Sequence, residues 1–279
     1  MTEIGLIGVP IETVPIRDAA IIMSAYIPSI TDSIREKIID SSKEKSLKVH
    51  DLGELFLGEF YDPGFKIDRK EGIPAEFYPE KIQTRDFNLL ERGREYLFDL
   101  EDKLDLIIAI GPSHLGAMAL YQEGDEVARL DYHSDFLDFD YKNIHFSYAS
   151  YMNWVEKNVK PVRITNYFVK ERFDAGVLGF DSKSIADERY LTSNHFDIDV
   201  DCFNSNYRIQ DVYPHPEGES KEATPENVLN MISKAVPNKI GFWEYREKYD
   251  YNNIGLELIV DSISAVSRLI EQKSLKITN

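Results

Sequence analysis

The sequence predicts an α/β fold: a single domain of three layers, α/β/α, around a mainly parallel central sheet. Short apolar runs alternate with stretches of helical periodicity, which is the order a parallel sheet needs to cross from strand to strand. One run, Leu104-Asp105-Leu106-Ile107-Ile108-Ala109-Ile110, is too apolar to face water on either side, as expected of a strand covered by helices on both faces. No linker-like stretch, internal repeat or low-complexity segment divides the 279 residues, so 1–279 reads as one domain. A chain of this length buries well over half of its unfolded surface without disulfides.

Taken in order, Ile4 to Val9, with Gly5 and Gly8, reads as the first strand. The apolar run from Ala19 to Ile27 contains Ser24 and stops at Pro28, too short to span a bilayer. Helical periodicity follows over Ile34 to Ile39 and again over Leu89 to Leu97, before the strand that ends at Ile110. Val127 to Leu130, Val162 to Phe168, Gly176 to Phe180, Leu191 to Val200 and Ile240 to Trp243 are the remaining strands. Thr224-Pro225 reads as an N-cap with proline at the first helical position, where its missing N–H is harmless. Val228, Leu229, Met231, Ile232 and Ala235 then supply the apolar face. Leu256, Ile259, Ile263, Val266 and Ile270 form one face of a long last helix. Tyr61 to Tyr78 and Asn204 to Ala223 read as long excursions, a type of segment that is often functional in compact domains.

Charge narrows the function. The chain has 32 basic against 49 acidic residues, a net charge of -17. That argues against nucleic acid, whose phosphate backbone calls for basic stripes, and against anionic membrane surfaces. Either the charge keeps the surface soluble, or an acidic cleft draws in a cationic ligand. Cys202 is the one cysteine. No intrachain disulfide is then possible, and Cys202 reads as an inert thiol. The start, Met1-Thr2-Glu3-Ile4, lacks the basic region of a secretion signal, so the expected compartment is the cytoplasm.

The chemistry lies where apolar runs meet ionisable residues. Leu106 to Ile110 runs into Gly111-Pro112-Ser113-His114, and Val127 to Leu130 into Asp131-Tyr132-His133-Ser134-Asp135. The strand around Phe196 runs into Asp197-Ile198-Asp199, and Ile240 to Trp243 into Glu244. Ligands of open parallel sheets bind at the carboxyl ends of the strands. Alternate side chains of extended backbone share a face, so Asp131, His133 and Asp135 point together, as do Asp197 and Asp199. Such a group stays desolvated only with strong positive charge among it. A divalent metal, or a pair, supplies that charge, and mixed carboxylate and imidazole ligands suit manganese or a similar metal.

At this point the chain resembles the ureohydrolases, arginase, agmatinase and relatives. That family carries, in order, G-G-D-H-S, D-A-H-x-D, S-x-D-x-D and a late Glu in E-V-x-P-x-x-D. Here stand Gly111-Pro112-Ser113-His114-Leu115, Asp131-Tyr132-His133-Ser134-Asp135, His195-Phe196-Asp197-Ile198-Asp199 and Glu244-Tyr245-Arg246-Glu247-Lys248-Tyr249-Asp250. The start, Gly5-Leu6-Ile7-Gly8-Val9-Pro10, is similar to the family's first strand. The resemblance implies an arginase-like fold and two Mn2+ per subunit. It assigns His114, Asp131, Asp135 and Asp197 to one ion and His133, Asp131, Asp197 and Asp199 to the other. Asp135 would also orient the hydroxide between them, and Glu244 would pair with the substrate guanidinium. His145 would shuttle a proton to the leaving amine.

Two positions depart from the pattern. Ser113 replaces an aspartate expected to support the ligand, a kind of loss that lowers metal affinity or activity by about 10–100-fold. His195 stands where the family has serine. The resemblance implies hydrolysis of a guanidino group to urea and an amine, by a homo-oligomer, commonly a trimer or hexamer. The loop Phe136 to Asn143 lacks the polar residues with which arginases read an amino-acid head group, and Asp138 matches an aspartate common among agmatinases. A small cationic guanidino substrate, agmatine first, is therefore expected. A sister ureohydrolase acting on arginine, guanidinobutyrate or formimidoylglutamate remains an alternative. So does a metal-binding but catalytically silent relative with a regulatory role.

Overall fold

The structure is a computed structural model, and it describes residues 2–15, 22–26, 30–55, 92–136, 151–169, 182–203, 207, 223–245, 250 and 252–277. Among the described residues, eight parallel strands form the main sheet. They are β1 (Ile4–Gly8), β4 (Val49–Glu54), β5 (Leu106–Gly111), β6 (Glu126–Leu130), β7 (Arg163–Tyr167), the two-residue β8 (Ser182–Lys183), β9 (His195–Asp199) and β10 (Lys239–Trp243). Their spatial order is β4-β1-β5-β10-β9-β6-β7-β8, and each adjacent pair is parallel. A separate antiparallel hairpin joins β2 (Ile11–Pro15) to β3 (Ile22–Tyr26).

Strand alternation builds two cores, one per face. Leu106, Ile108 and Ile110 of β5 join Phe196, Ile198, Ile240 and Phe242 in one apolar cluster. This face is covered by α1 (Asp32–Glu44), α4 (Pro225–Ala235) and α5 (Ile254–Ile277), through Ile38, Val228, Met231, Ile259 and Ile263. Ile107 and Ala109 turn the other way, joining Val127 and Trp243. That face is covered by α2 over residues 92–101, the 3₁₀ turn His114–Ala119 and α3 (Tyr151–Trp154), through Leu97, Leu115, Tyr151 and Met152. The three layers follow from one rule, that a strand buried on both sides must be apolar on both sides.

Local signals act as expected. The Thr224 hydroxyl accepts from Asn227 N at 3.1 Å, with Pro225 opening α4. The last helix is longer than its apolar stripe, reaching Ile277. The structure adds elements that periodicity did not show. Among the described residues strand β4 is a sheet edge, and all of its residues but Glu54 are half-buried or exposed, so it carries no apolar run. The hairpin β2–β3 and α3, with its π-helical continuation Val155–Val159, are short and mixed in character. The expected strand at Gly176 to Phe180, the Tyr61 to Tyr78 excursion and most of Asn204 to Ala223 lie outside the described residues. Among the described residues, no helix is long and apolar enough to cross a membrane.

On the face of α2 and α3, polar residues stand in rows across the central strands. The lowest row aligns Lys239 with His195 and His195 with Val127. Lys239 is fully buried, and its ammonium reaches Asp125 at 2.7 and 2.9 Å and Glu101 at 2.8 Å. Burial works to raise the Asp125 pKa, but His195 and Lys239 overcome it and hold the carboxyl down at about 2. Asp125 also accepts from Gln122 N and from the Asn194 amide, tying β6, β9 and β10 together at their amino ends.

Removing one partner of a buried pair strands the other charge. Lys239→Met should therefore lower stability by about 3–5 kcal/mol, read by urea unfolding at pH 7. A depressed pKa stabilises above the unfolded value and is lost as pH falls through the folded one. Acidification from pH 4 toward pH 2 should thus destabilise the parent protein more than this variant.

Candidate metal centre

Four neighbouring strands, β5, β10, β9 and β6, end on the same edge of the sheet. Just beyond or at those ends lie His114, Glu244, Asp199 and Asp131. His114 opens the 3₁₀ turn after β5, and Ser113 caps that turn by accepting from Leu115 N at 3.4 Å. Asp135 and Glu244 have left-handed backbones, φ 55° and 56°. For side chains other than glycine this conformation is uncommon and clusters at functional sites.

His114 is the hub, with only 1% of its surface exposed. Its Nδ1 lies 3.1 Å from Asp131 Oδ2, 3.1 Å from Asp135 Oδ2 and 2.9 Å from Asp199 Oδ2, yet it makes no hydrogen bond. A buried nitrogen ringed by carboxylate oxygens, with a hydrogen bond to none of them, fits a metal ligand. The spacing supports this. Ligands at right angles around an ion with bonds of about 2.1 Å stand roughly 3.0 Å apart. His114, Asp131 and Asp135 thus form one group with metal-ligand spacing.

A second grouping adjoins it. Asp131, His133 and Asp201 place ligand atoms within 4.8 Å of one another, and so do Asp199, Asp201 and Glu244. His133 Nδ1 is 2.6 Å from Asp201 Oδ2, while Asp201 Oδ1 accepts from Tyr132 N at 3.1 Å. Asp199 caps the short turn Val200–Cys202 by accepting from Asp201 N at 3.0 Å. Burial works to lower the His133 pKa, but the charge and hydrogen bond of Asp201, then Asp131 and Asp135, push it up to about 11. Burial and the charge of Asp201 push Glu244 up to about 8. Burial raises Asp131 to about 6 against the pull of Arg129. Such shifts mark carboxylates crowded in a low-dielectric place.

Asp197 sits elsewhere. It aligns with Arg129 on β6 and Gly241 on β10, one pleat below Asp199. Its carboxylate accepts from Tyr121 OH at 2.5 Å and Tyr151 OH at 3.2 Å, and it faces His114 Nε2 at 3.2 Å. An added Cβ at Gly241 would come within 2.5 Å of the Trp243 indole, which covers that strand position. His114 therefore has Asp197 behind it and three carboxylates in front.

Arg129 is fully buried in the same row. Its Nη2 donates to Asp131 and, at 2.7 Å, to Asp135 Oδ2. Its Nη1 donates to His133 O at 3.2 Å and Asn166 Oδ1 at 3.3 Å, and its Nε to Tyr151 OH at 3.4 Å. Sequence reasoning passed over Arg129, Asp201, Tyr121 and Tyr151. Two signals were there: a carboxylate every second residue from Asp197 to Asp201, and a charged residue inside an otherwise apolar strand. Asp138 and His145 lie outside the described residues. Cys202 is buried, and burial pushes its thiol up.

The chain has the arginase/agmatinase ureohydrolase fold, with buried His and Asp clusters at its carboxyl edge that are candidates for metal. It is similar to a hypothetical agmatinase from Burkholderia thailandensis, with a TM-score of 0.65 and 13% identity over 98% of this chain and 87% of that one. Arginase from Bacillus caldovelox gives 0.64 and 14%, over 95% and 98%. Agmatine ureohydrolase of Thermoplasma volcanium gives 0.63 and 16%, over 96% and 91%. At such identities the likeness shows the fold. No family model and no curated protein matches the sequence.

If Asp201 is a ligand and Asp197 is not, their amide variants will separate. Asp201→Asn should cut divalent-metal affinity by about 10–100-fold or more. Asp197→Asn should keep the metal and lose about 1–3 kcal/mol of stability, from two hydroxyl donors left with a weaker acceptor. Metal content after dialysis and thermal unfolding read the two effects. A raised histidine pKa means the proton is held below about 11 and must leave before His133 ligates. Metal uptake at pH 7 should therefore release protons and tighten as pH rises, measured by calorimetry in buffers of different ionisation enthalpy.

Proposed function

We propose that this protein is a metal-dependent hydrolase that cleaves a small cationic guanidino compound, agmatine first, to urea and an amine. The observation that carries the reading is His114 Nδ1, buried without a hydrogen bond at ligand spacing from three carboxylates, on the carboxyl edge of a ureohydrolase fold. His114, Asp131, Asp135 and Asp199 would hold one Mn2+, and Asp131, His133, Asp199 and Asp201 the other. This set keeps the expected bridging role of Asp131 and moves the second bridge from Asp197 to Asp199. Bound there, two ions would bring the pKa of a shared water toward neutrality and so supply the nucleophile.

The protein groups do the rest. Asp135, held by its left-handed backbone and by Arg129, orients the attacking group. Glu244 stands at the rim, only half-buried, where a guanidinium can form a bidentate pair with it. His145 would give the leaving amine its proton, and Asp138 would face the cationic tail of the substrate. The acidic surround raises the local concentration of such a cation. We extend the proposal to a cytoplasmic homo-oligomer, a trimer or hexamer.

A second reading has its own support. Ser113 where an aspartate is expected, and Arg129 on two of the ligands, favour a metal-binding protein without turnover. A two-metal phosphoesterase fits less well, because the guanidinium of Arg129 is engaged inside the protein and does not face a phosphate.

Urea release from agmatine by manganese-loaded protein, with arginine, guanidinobutyrate and formimidoylglutamate beside it, decides between these readings. Urea from agmatine alone is the expected result. Bound manganese with no product from any of them would support the silent relative. Glu244→Gln should keep its metal and raise KM at least about 10-fold, since it removes the charge of the pair.

A further inference from the structure

Arg129 is a charged side chain with no exposed surface, on a strand whose other residues are apolar except at the edge. The placement of its Nη2 is specific. It donates to Asp131 Oδ2 and Asp135 Oδ2, and these same two oxygens lie 3.1 Å from His114 Nδ1. The oxygens that would ligate an ion beside His114 are thus already hydrogen-bonded to a permanent cation. Arg129 cannot withdraw easily, because Nη1 is held by His133 O and Asn166 and Nε by Tyr151. Nor can it lose its charge, since a guanidinium stays protonated in proteins. The Asp197 carboxylate lies 3.8 Å from Nε in the same row and holds the charge in place.

The neighbouring group is built differently. Asp199, Asp201 and Glu244 bring carboxylate oxygens within 4.8 Å of one another. Like charges so close in a buried place favour any arrangement that puts a cation between them. One position therefore begins with a permanent cation on its ligand oxygens, and the other has only the imidazole of His133, itself a ligand, against Asp201.

Resting on the metal reading above, we propose that Arg129 is a resident cation that makes the two metal positions unequal. One divalent ion binds tightly at the position of His133, Asp199 and Asp201. The position of His114, Asp131 and Asp135 fills only at much higher metal concentration. Arg129 is in this sense a positioning residue. It fixes Asp131 and Asp135 without metal, and it opposes the arrival of a second ion by repulsion at contact range, where the low dielectric strengthens it.

The test is a Mn2+ titration of the whole metal-free protein, followed by equilibrium dialysis and electron paramagnetic resonance. The expected result is one tight ion per chain with the six-line spectrum of isolated Mn2+, and a second ion at least about 100-fold weaker, the upper range of effects from groups around the ligands. Arg129→Met should bring the second ion to within about tenfold of the first and replace the six-line signal with that of a coupled pair. Arg129→Gln serves the same purpose where the Met variant does not fold, and Arg129→Lys should keep the two positions unequal. Two equally tight ions in the parent protein would overturn the inference while leaving the hydrolase reading intact. So would a neutral variant whose second ion stays as weak as before. No manganese bound at all would overturn the metal reading itself.

Discussion

Everything at the carboxyl edge depends on how negative charge is crowded there. Parallel pairing brings β9 between β6 and β10, and the ends of these strands deliver Asp131, Asp199 and Glu244 to one place. The turns after them add Asp135 and Asp201. Mutual repulsion and burial make this group unstable by itself. Three cationic or potentially cationic side chains answer it: Arg129, His114 and His133. They hold the carboxylates at the spacing an ion would impose, so the protein's own cations organise the backbone around them.

That organisation has costs distributed through the fold. Asp135 and Glu244 are held in left-handed backbone conformations, which surrounding structure must enforce. Tyr121 and Tyr151 direct their hydroxyls to Asp197 instead of to water, and burial pushes both phenols upward. The apolar layer of α2 and α3 is therefore interrupted by polar rows that reach from Lys239 at one edge of the sheet to Asp199 at the other. The opposite layer, under α1, α4 and α5, is a mostly apolar core. One face of the sheet serves stability, and the other gives up some of it to the site.

Much of this was legible in the sequence. The four site-bearing strands could be read because each is apolar and each runs into an ionisable residue; that they are also neighbours in the sheet could not. The run from Asp197 to Asp201 shows the limit. In Asp197-Ile198-Asp199-Val200-Asp201, two overlapping pairs satisfy the same spacing. Only the register between β6 and β9, which sets Asp197 beside Arg129, separates them. Register is a long-range property, and no local pattern encodes it. Strand β4 was missed for the opposite reason: an edge strand is solvated and carries little apolar signal. Asp201 and Arg129 were visible as residues, but their roles came from pairing.

The alignment of Arg129 with Asp197 also bears on how the sheet assembles. Apolar strands such as β5 can slide past a neighbour and still find grease on both sides. Strands β6 and β9 cannot, because a slip of one residue turns alternate side chains to the other face. Arg129 would then lie against Phe196 or Ile198 in the core beneath α4, with its charge unanswered. The ion pair thus acts as a check on strand alignment during folding, rejecting near-miss pairings that hydrophobicity alone would accept.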